Sequence, residues 1–271
     1  MGTSTKLNSE GWDSPISPEY LIGFNKKMAL MHAIQGLLMI FLGSILEFKR
    51  DLYTFYFNYS QVSLGLPPYV DPKVAFEFTQ IGAAVGSFLL MSAFAHFLLA
   101  WPLKQRYISN LLNHRNPLRF VEYAFSSSLM IVLISIFFTI VDIWTLFALF
   151  WLNFLMNMFG MLMEFQNPTN NKDSKINWWP YILGCIAGII PWVVITGYFI
   201  GVNGTPPDFV YAIYIIEFVL FNCFAITMVA YFKRWGKFKD YMFGERFYQI
   251  LSLVAKTFLA WLVFGGIFQP N

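Results

Sequence analysis

A single lysine, Lys256, interrupts the last apolar run of this chain. Between Phe247 and Phe268 it is the only full charge. A cation at the centre of a membrane helix costs about 2.5–3.5 kcal/mol on insertion scales. Such a residue is expected to face the protein interior and to serve a purpose. A lysine so placed can be deprotonated and can condense with an aldehyde to a Schiff base, which arginine cannot do. Its counter-charge must come from a nearby carboxylate, and Glu122, Glu164 and Glu217 are the candidates. With a rise of 1.5 Å per residue, Lys256 lies roughly 13 Å above the inner end of its helix and Glu122 roughly 8 Å above the start of its own. Glu217 falls near the midplane, slightly to the outside, and Glu164 at the inner boundary. Depth favours Glu122, with Glu217 second.

Two histidines, His32 and His96, share the inner half of the membrane with this pair, and Gln35 lies one turn from His32. Each histidine alone reads as a hydrogen-bonded packing residue. Together they also fit a solvated polar pocket able to take up or pass on a proton. Ser252 lies one turn before Lys256, and Glu122, Ser126 and Met130 form an i, i+4, i+8 stripe. Ser126 and Ser252 can hydrogen-bond the charged pair or bond back to their own helix carbonyls. Cys185 and Cys223 lie within apolar segments, without the spacing of a metal site. No metal ligand set and no catalytic residue is expected, and nothing points to an enzyme or to nucleic-acid binding.

The elements that must position these residues are membrane helices. The sequence is 57% hydrophobic and 20% aromatic but only 12% charged, too little charge to cover a soluble domain of this length. Apolar stretches long enough to span a bilayer fall at about 24–48, 74–101, 117–141, 143–164, 178–201, 207–232 and 247–268. The expected fold is an all-α seven-helix transmembrane bundle forming one domain over residues 1–271. Residues Met1 to Tyr20 are polar, with no apolar run after a basic start. No cleavable signal is therefore expected, and the first helix serves for insertion.

Fourteen of the 18 Lys and Arg residues group on the side of the N-terminus: Lys6, Lys26, Lys27, Lys104, Arg106, Arg115, Arg119, Lys172, Lys175, Lys233, Arg234, Lys237, Lys239 and Arg246. Lys49, Arg50 and Lys73 lie opposite. The positive-inside rule then puts the N-terminus in the cytoplasm and the C-terminus outside. The longest loop, 49–73, is external. Within it Tyr53, Phe55, Phe57 and Tyr59 alternate with Thr54, Tyr56, Asn58 and Ser60, and Gly65 and Pro67-Pro68 supply a turn. A short β-hairpin is expected there, its aromatic face buried against a second copy of the chain. Sequons at Asn58 and Asn203 fall on the same side.

The run Asn116-Pro117-Leu118-Arg119-Phe120-Val121-Glu122-Tyr123, followed by Ser126-Ser127-Ser128-Leu129-Met130, resembles the third helix of heliorhodopsins. Gly244-Glu245-Arg246 and Leu251-Ser252-Leu253-Val254-Ala255-Lys256 through Leu259-Ala260-Trp261 resemble their last helix, and the inverted orientation and long outer loop are similar too. The resemblance spans essentially the whole chain. It implies all-trans retinal bound as a protonated Schiff base on Lys256 with Glu122 as counterion, a homodimer, and a slow photocycle suited to light sensing. It implies that His32 and His96 form the inner polar cluster and that Ser252 is the hydroxyl beside the Schiff base. Asn153, Met130, Trp192 and Phe221 stand as chromophore neighbours.

A carboxylate one turn before the lysine, found in microbial pumps, is replaced by Ser252, and three turns along the same helix face from Glu122 stands Leu133 rather than an acid. A pump is therefore not expected. Glu217, where the family pattern has an apolar residue, opens a second reading: passive, light-gated proton flow toward the outside. A third is a membrane protein without chromophore, in which Lys256 and Glu122 form a structural ion pair. The basic inner loops, Lys233 to Arg246 above all, can dock a cytoplasmic signalling partner or membrane lipid, or are simply solvated.

Overall fold

The computed structural model describes residues 14–46, 48–167 and 175–267. Lys6, Lys172 and Phe268, named above, lie outside them. The chain runs α1 (Pro18–Ile45), β1 (Arg50–Asn58), β2 (Tyr69–Phe78), α2 (Ile81–Ala100), α3 (Lys104–Leu112), α4 (Pro117–Phe137), α5 (Ile143–Gln166), α6 (Trp179–Ile200), α7 (Asp208–Phe232) and α8 (Tyr241–Ile267). Among the described residues seven helices, all but α3, are long and apolar enough to cross a membrane. They mark an integral, multi-pass membrane protein.

Local chemistry sets the helix starts. Ser17 caps α1, its Oγ accepting from Tyr20 N, with Pro18 in the first turn. Asn116 Oδ1 accepts from Arg119 N ahead of Pro117 in α4, and Asp142 accepts from Thr145 N in α5. Each cap satisfies a backbone donor with no partner inside the helix, and proline loses nothing there.

Several boundaries differ from those read in the sequence. The second membrane helix starts at Ile81 rather than 74, because Val74 to Phe78 pair in β2. An apolar run is compatible with either element, and here the strand takes it. The third spanning helix ends at Phe137, not 141: Thr139 adopts φ 63°, and Val141 O accepts from Tyr53 N at 2.7 Å, tying the hairpin to the α4–α5 turn. The last helix begins at Tyr241, six residues before the expected 247, and so includes Glu245. The amphipathic α3, which buries Tyr107, Ile108 and Leu111, lies in what reads as a charged loop.

In the hairpin, Tyr53 pairs with Val74, Phe55 with Pro72 and Phe57 with Val70, so these six share one face. Phe55, Phe57, Val70 and Val74 on it are each about half exposed or more. Helices α1 and α2 approach so closely that a Cβ on Gly82 would lie 2.5 Å from Gly43 Cα, the small-residue contact common between membrane helices.

The interior is layered. One apolar cluster gathers Met39 of α1, Val85 and Phe88 of α2, Met130, Ile131, Leu133 and Ile134 of α4 and Leu259, Ala260, Val263 and Phe264 of α8. A second, toward the basic end, gathers Leu21, Leu99, Tyr107, Phe120, Met163 and Tyr241. Between them each of α1, α2, α4 and α8 contributes buried polar side chains: Asn25 and His32, Ser92 and His96, Glu122 and Ser126, Gln249, Ser252 and Lys256.

Candidate functional site

Lys256 projects from α8 into this polar layer and is 3% exposed. Its Nζ donates to Ser252 Oγ at 2.7 Å and lies 3.2 Å from Glu122 Oε1 on α4. One helical turn separates Ser252 from Lys256, which puts hydroxyl and ammonium on the same face of α8. Ser92 of α2 donates to the same Glu122 oxygen at 2.6 Å. The ring of Tyr123 faces Nζ at 5.0 Å to its centroid. The cation therefore has a carboxylate, a hydroxyl and an aromatic face, which together offset the cost of burying it.

Below the pair, His32 and His96 stack with ring centroids 5.6 Å apart and an interplanar angle of 10°. His96 Nδ1 is 2.7 Å from Asn25 Oδ1, and Asn25 in turn donates to Leu21 O. Neither ring nitrogen of His32 has a hydrogen-bond partner among the described residues. Gln35 accepts from Thr257 Oγ1 at 2.9 Å, one residue on from the lysine.

Nearer the basic end lies a second polar centre. Arg119 Nη1 donates to Glu245 and Nη2 to Glu164, all three side chains being almost fully buried. Asn116 adds its backbone N–H to Glu164 (3.0 Å) and its amide to Glu245 (2.7 Å). Tyr107 OH and Gln249 Nε2 also donate to Glu245, at 3.2 and 3.3 Å. Burial, reinforced by the Glu245 charge, pushes the Tyr107 phenol well above its usual range, so it remains a donor. The guanidinium stacks on the rings of Tyr248 (4.3 Å) and Phe120 (4.7 Å). Each charge of this centre is thus matched by an opposite charge or a hydrogen bond.

A cavity of about 40 Å³ opens beside Lys256, lined by Tyr123, Met130, Met156, Phe221, Phe224 and Ser252 among others. It shares Tyr123, Met156, Asn157, Phe221 and Phe224 with a neighbouring cavity of about 100 Å³ that extends along α5, α6 and α7. The result is an amine at the polar end of an elongated apolar recess. That donor set suits an apolar aldehyde held through its carbonyl carbon and packed along aromatic and thioether side chains.

The expected site residues distribute as follows. Lys256, Glu122, Ser252, His32 and His96 come together, and Met130 and Phe221 line the recess. Trp192 packs edge-on against Phe221, with centroids 5.6 Å apart. Asn153 donates to Ser127 and Ser128 at 2.7 and 3.1 Å. Ser126 is fully buried, but its Oγ has no hydrogen-bond partner among the described residues. The serine that bonds Glu122 is Ser92, from a different helix. Glu217, on α7, is fully buried, and neither of its oxygens has such a partner either.

Sequence reasoning missed Ser92, Tyr123 and the Arg119 centre. Ser92 stands one turn from His96 on one helix face, which was a usable signal. Arg119, at the start of the expected third span, counts as a loop cation; only the packing of α4 against α5 and α8 puts it inside the protein with Glu164 and Glu245.

A family model described as Heliorhodopsin matches residues 21–268. No curated protein matches the chain.

Proposed function

The chain belongs to the heliorhodopsin family, and we propose that it is a retinal-binding, light-sensing membrane protein. The observation that carries this reading is the seat of Lys256 Nζ, 2.7 Å from Ser252 Oγ and 3.2 Å from Glu122 Oε1, on the wall of an apolar recess. When bound, all-trans retinal supplies visible absorption and a photoisomerising double bond, linked to Lys256 as a protonated Schiff base. Glu122 balances the cation, Ser92 holds the carboxylate, and Ser252 accepts from the nitrogen. Met130, Phe221 and Trp192 confine the chain, while Asn153 orders the serines at its flank. Movement of the cation away from Glu122 changes the field at the His32–His96 stack. The protein's response follows from that shift of charge and the helix repacking it drives.

Absence of a carboxylate at Ser252 argues against a pump and for a sensor with a slow photocycle. The basic loops put the N-terminus in the cytoplasm by the positive-inside rule. They offer a surface to a cytoplasmic partner and to membrane lipid. The exposed apolar face of the hairpin fits a homodimer. A second reading rests on Glu217 of α7, whose buried carboxyl has no hydrogen-bond partner among the described residues. It is a stepping point for passive, light-gated proton flow.

The test is a visible spectrum of protein expressed with all-trans retinal, beside Lys256→Ala and Glu122→Gln. A visible band lost in Lys256→Ala and displaced in Glu122→Gln is expected; a colourless wild type would sink the proposal. Patch-clamp recording under illumination separates the two readings. The sensor gives no photocurrent at any voltage, whereas the channel gives one that Glu217→Gln abolishes.

A further inference from the structure

A third cavity, of about 210 Å³, lies apart from the lysine site, between the end of α2, the amphipathic α3 and the start of α4. Its floor is Leu99, Leu103, Leu118 and Val121, and its rim carries Arg106 and Asn110. Val121 is 39% exposed on the outer surface of α4, roughly 6 Å along from the helix start, so the apolar side opens toward the bilayer. Arg106 is exposed on the basic end of the bundle and makes no ion pair among the described residues. An apolar crevice open to lipid, topped by an unpaired guanidinium at headgroup level, is complementary to one kind of molecule.

We propose that this crevice is a binding site for an anionic phospholipid of the leaflet at the basic end. An acyl chain lies along Leu118 and Val121, and the phosphate is held by Arg106 and the Asn110 amide. Guanidinium matches phosphate geometry through paired N–H donors, and basic pockets between membrane helices are suited to acidic headgroups. The wall behind the lipid is Tyr107 and Asn116, the two residues that reach through to Glu245. A bound lipid therefore braces one side of the Arg119 centre. Lys239, a loop cation that does not line this crevice, attracts acidic lipid only diffusely.

Native mass spectrometry of the retinal-reconstituted protein, released from nanodiscs of mixed phosphatidylcholine and phosphatidylglycerol, tests this. Wild type is expected to retain one phosphatidylglycerol in preference to phosphatidylcholine. Arg106→Gln should lower that retention about tenfold, the loss of a charge-assisted bond, and Val121→Trp, which fills the crevice, should lower it as far. Lys239→Gln should leave it unchanged, and an intact visible band certifies each variant as folded. Equal retention of the two lipids by wild type overturns the proposal. So does phosphatidylglycerol retention that survives both Arg106→Gln and Val121→Trp, or that falls as much in Lys239→Gln.

Discussion

Tyr123 lays its ring 5.0 Å from the Lys256 ammonium and donates its hydroxyl to the backbone carbonyl of Tyr248 at 3.0 Å. Tyr248 in turn stacks against Arg119 at 4.3 Å. One side chain thus touches the lysine centre directly and the arginine centre through a single neighbour. Both centres draw on the same two helices, α4 with Arg119, Glu122 and Tyr123, and α8 with Glu245, Tyr248, Ser252 and Lys256, besides Glu164 of α5 at one and Ser92 of α2 at the other. A shift of α8 against α4 at one centre is felt at the other.

The two contacts of Tyr123 are separable. Tyr123→Phe keeps the ring and loses the hydroxyl bond, a cost of about 0.5–1.5 kcal/mol, and should leave the visible band in place. Tyr123→Leu also removes a cation–π contact worth about 2 kcal/mol in a desolvated site, and should displace the band. Absorption spectra beside thermal unfolding in detergent distinguish the two. An unmoved band in Tyr123→Leu would take the ring out of the chromophore's electrostatics.

Glu122 provides the sharper contrast. In Glu122→Gln the buried cation loses the one carboxylate that pairs with it among the described residues, so the band should move and should return toward its wild-type position when a small anion such as nitrate is added. Ser92→Ala removes only the donor to Glu122, and its shift should be the smaller of the two. A Ser92→Ala spectrum displaced further than that of Glu122→Gln would mean that the serine, not the carboxylate, dominates the field at Nζ.

The Arg119 centre is a stability element. Arg119→Leu leaves Glu164 and Glu245 buried without their cation and should cost about 3–5 kcal/mol, whereas replacing all three by apolar residues of similar volume should cost far less. Tyr107→Phe, which removes one donor from Glu245, should cost about 1–3 kcal/mol. Unfolding midpoints across this series check the ordering. A triple variant as unstable as Arg119→Leu would contradict it.

The parts of this architecture visible in the sequence are those that a period or a cost dictates. Seven spans follow from apolar length, and Lys256 from the cost of a charge inside one of them. The alternation from Tyr53 to Ser60 announces the hairpin. What stayed hidden depends on pairing between distant segments. Val74 to Phe78, apolar but for Glu77, is a run that a helix or a strand can use, and only its register with Leu52 and Arg50 decides. Ser92 and Ser126 are equally good hydroxyl donors on paper, and the rotation of α2 against α4 selects Ser92. Arg119 looks solvated at the start of its span until the packing of α4 against α5 and α8 pairs it with Glu164 and Glu245.

The hairpin face of Phe55, Phe57, Val70, Pro72 and Val74 carries the dimer expectation. If a second copy covers it, Phe55→Lys together with Phe57→Lys should weaken association by at least about thirtyfold, the loss of one hot-spot residue. The monomer band should not change, because neither residue lines the recess. Analytical ultracentrifugation in detergent reads the shift. A dimer of undiminished affinity would place its interface elsewhere.

Gly188 tests how the recess is kept open. A Cβ there would lie 2.3 Å from Met156 Sδ and 3.0 Å from its Cγ, closer than atoms approach. Met156 is an unbranched thioether that lines both cavities beside Lys256, so it yields by rotating rather than by forcing α5 and α6 apart. The stability cost of Gly188→Ala should accordingly stay near the lower end of the roughly 1–3 kcal/mol typical of overpacking. With α6 behind it, the displaced thioether has the recess to move into. Binding of added retinal should slow and the band should shift, while Met156→Val in the same background, being shorter, should restore both. If Gly188→Ala takes up retinal at the wild-type rate with an unshifted band, the methionine turns away from the recess and does not gate it.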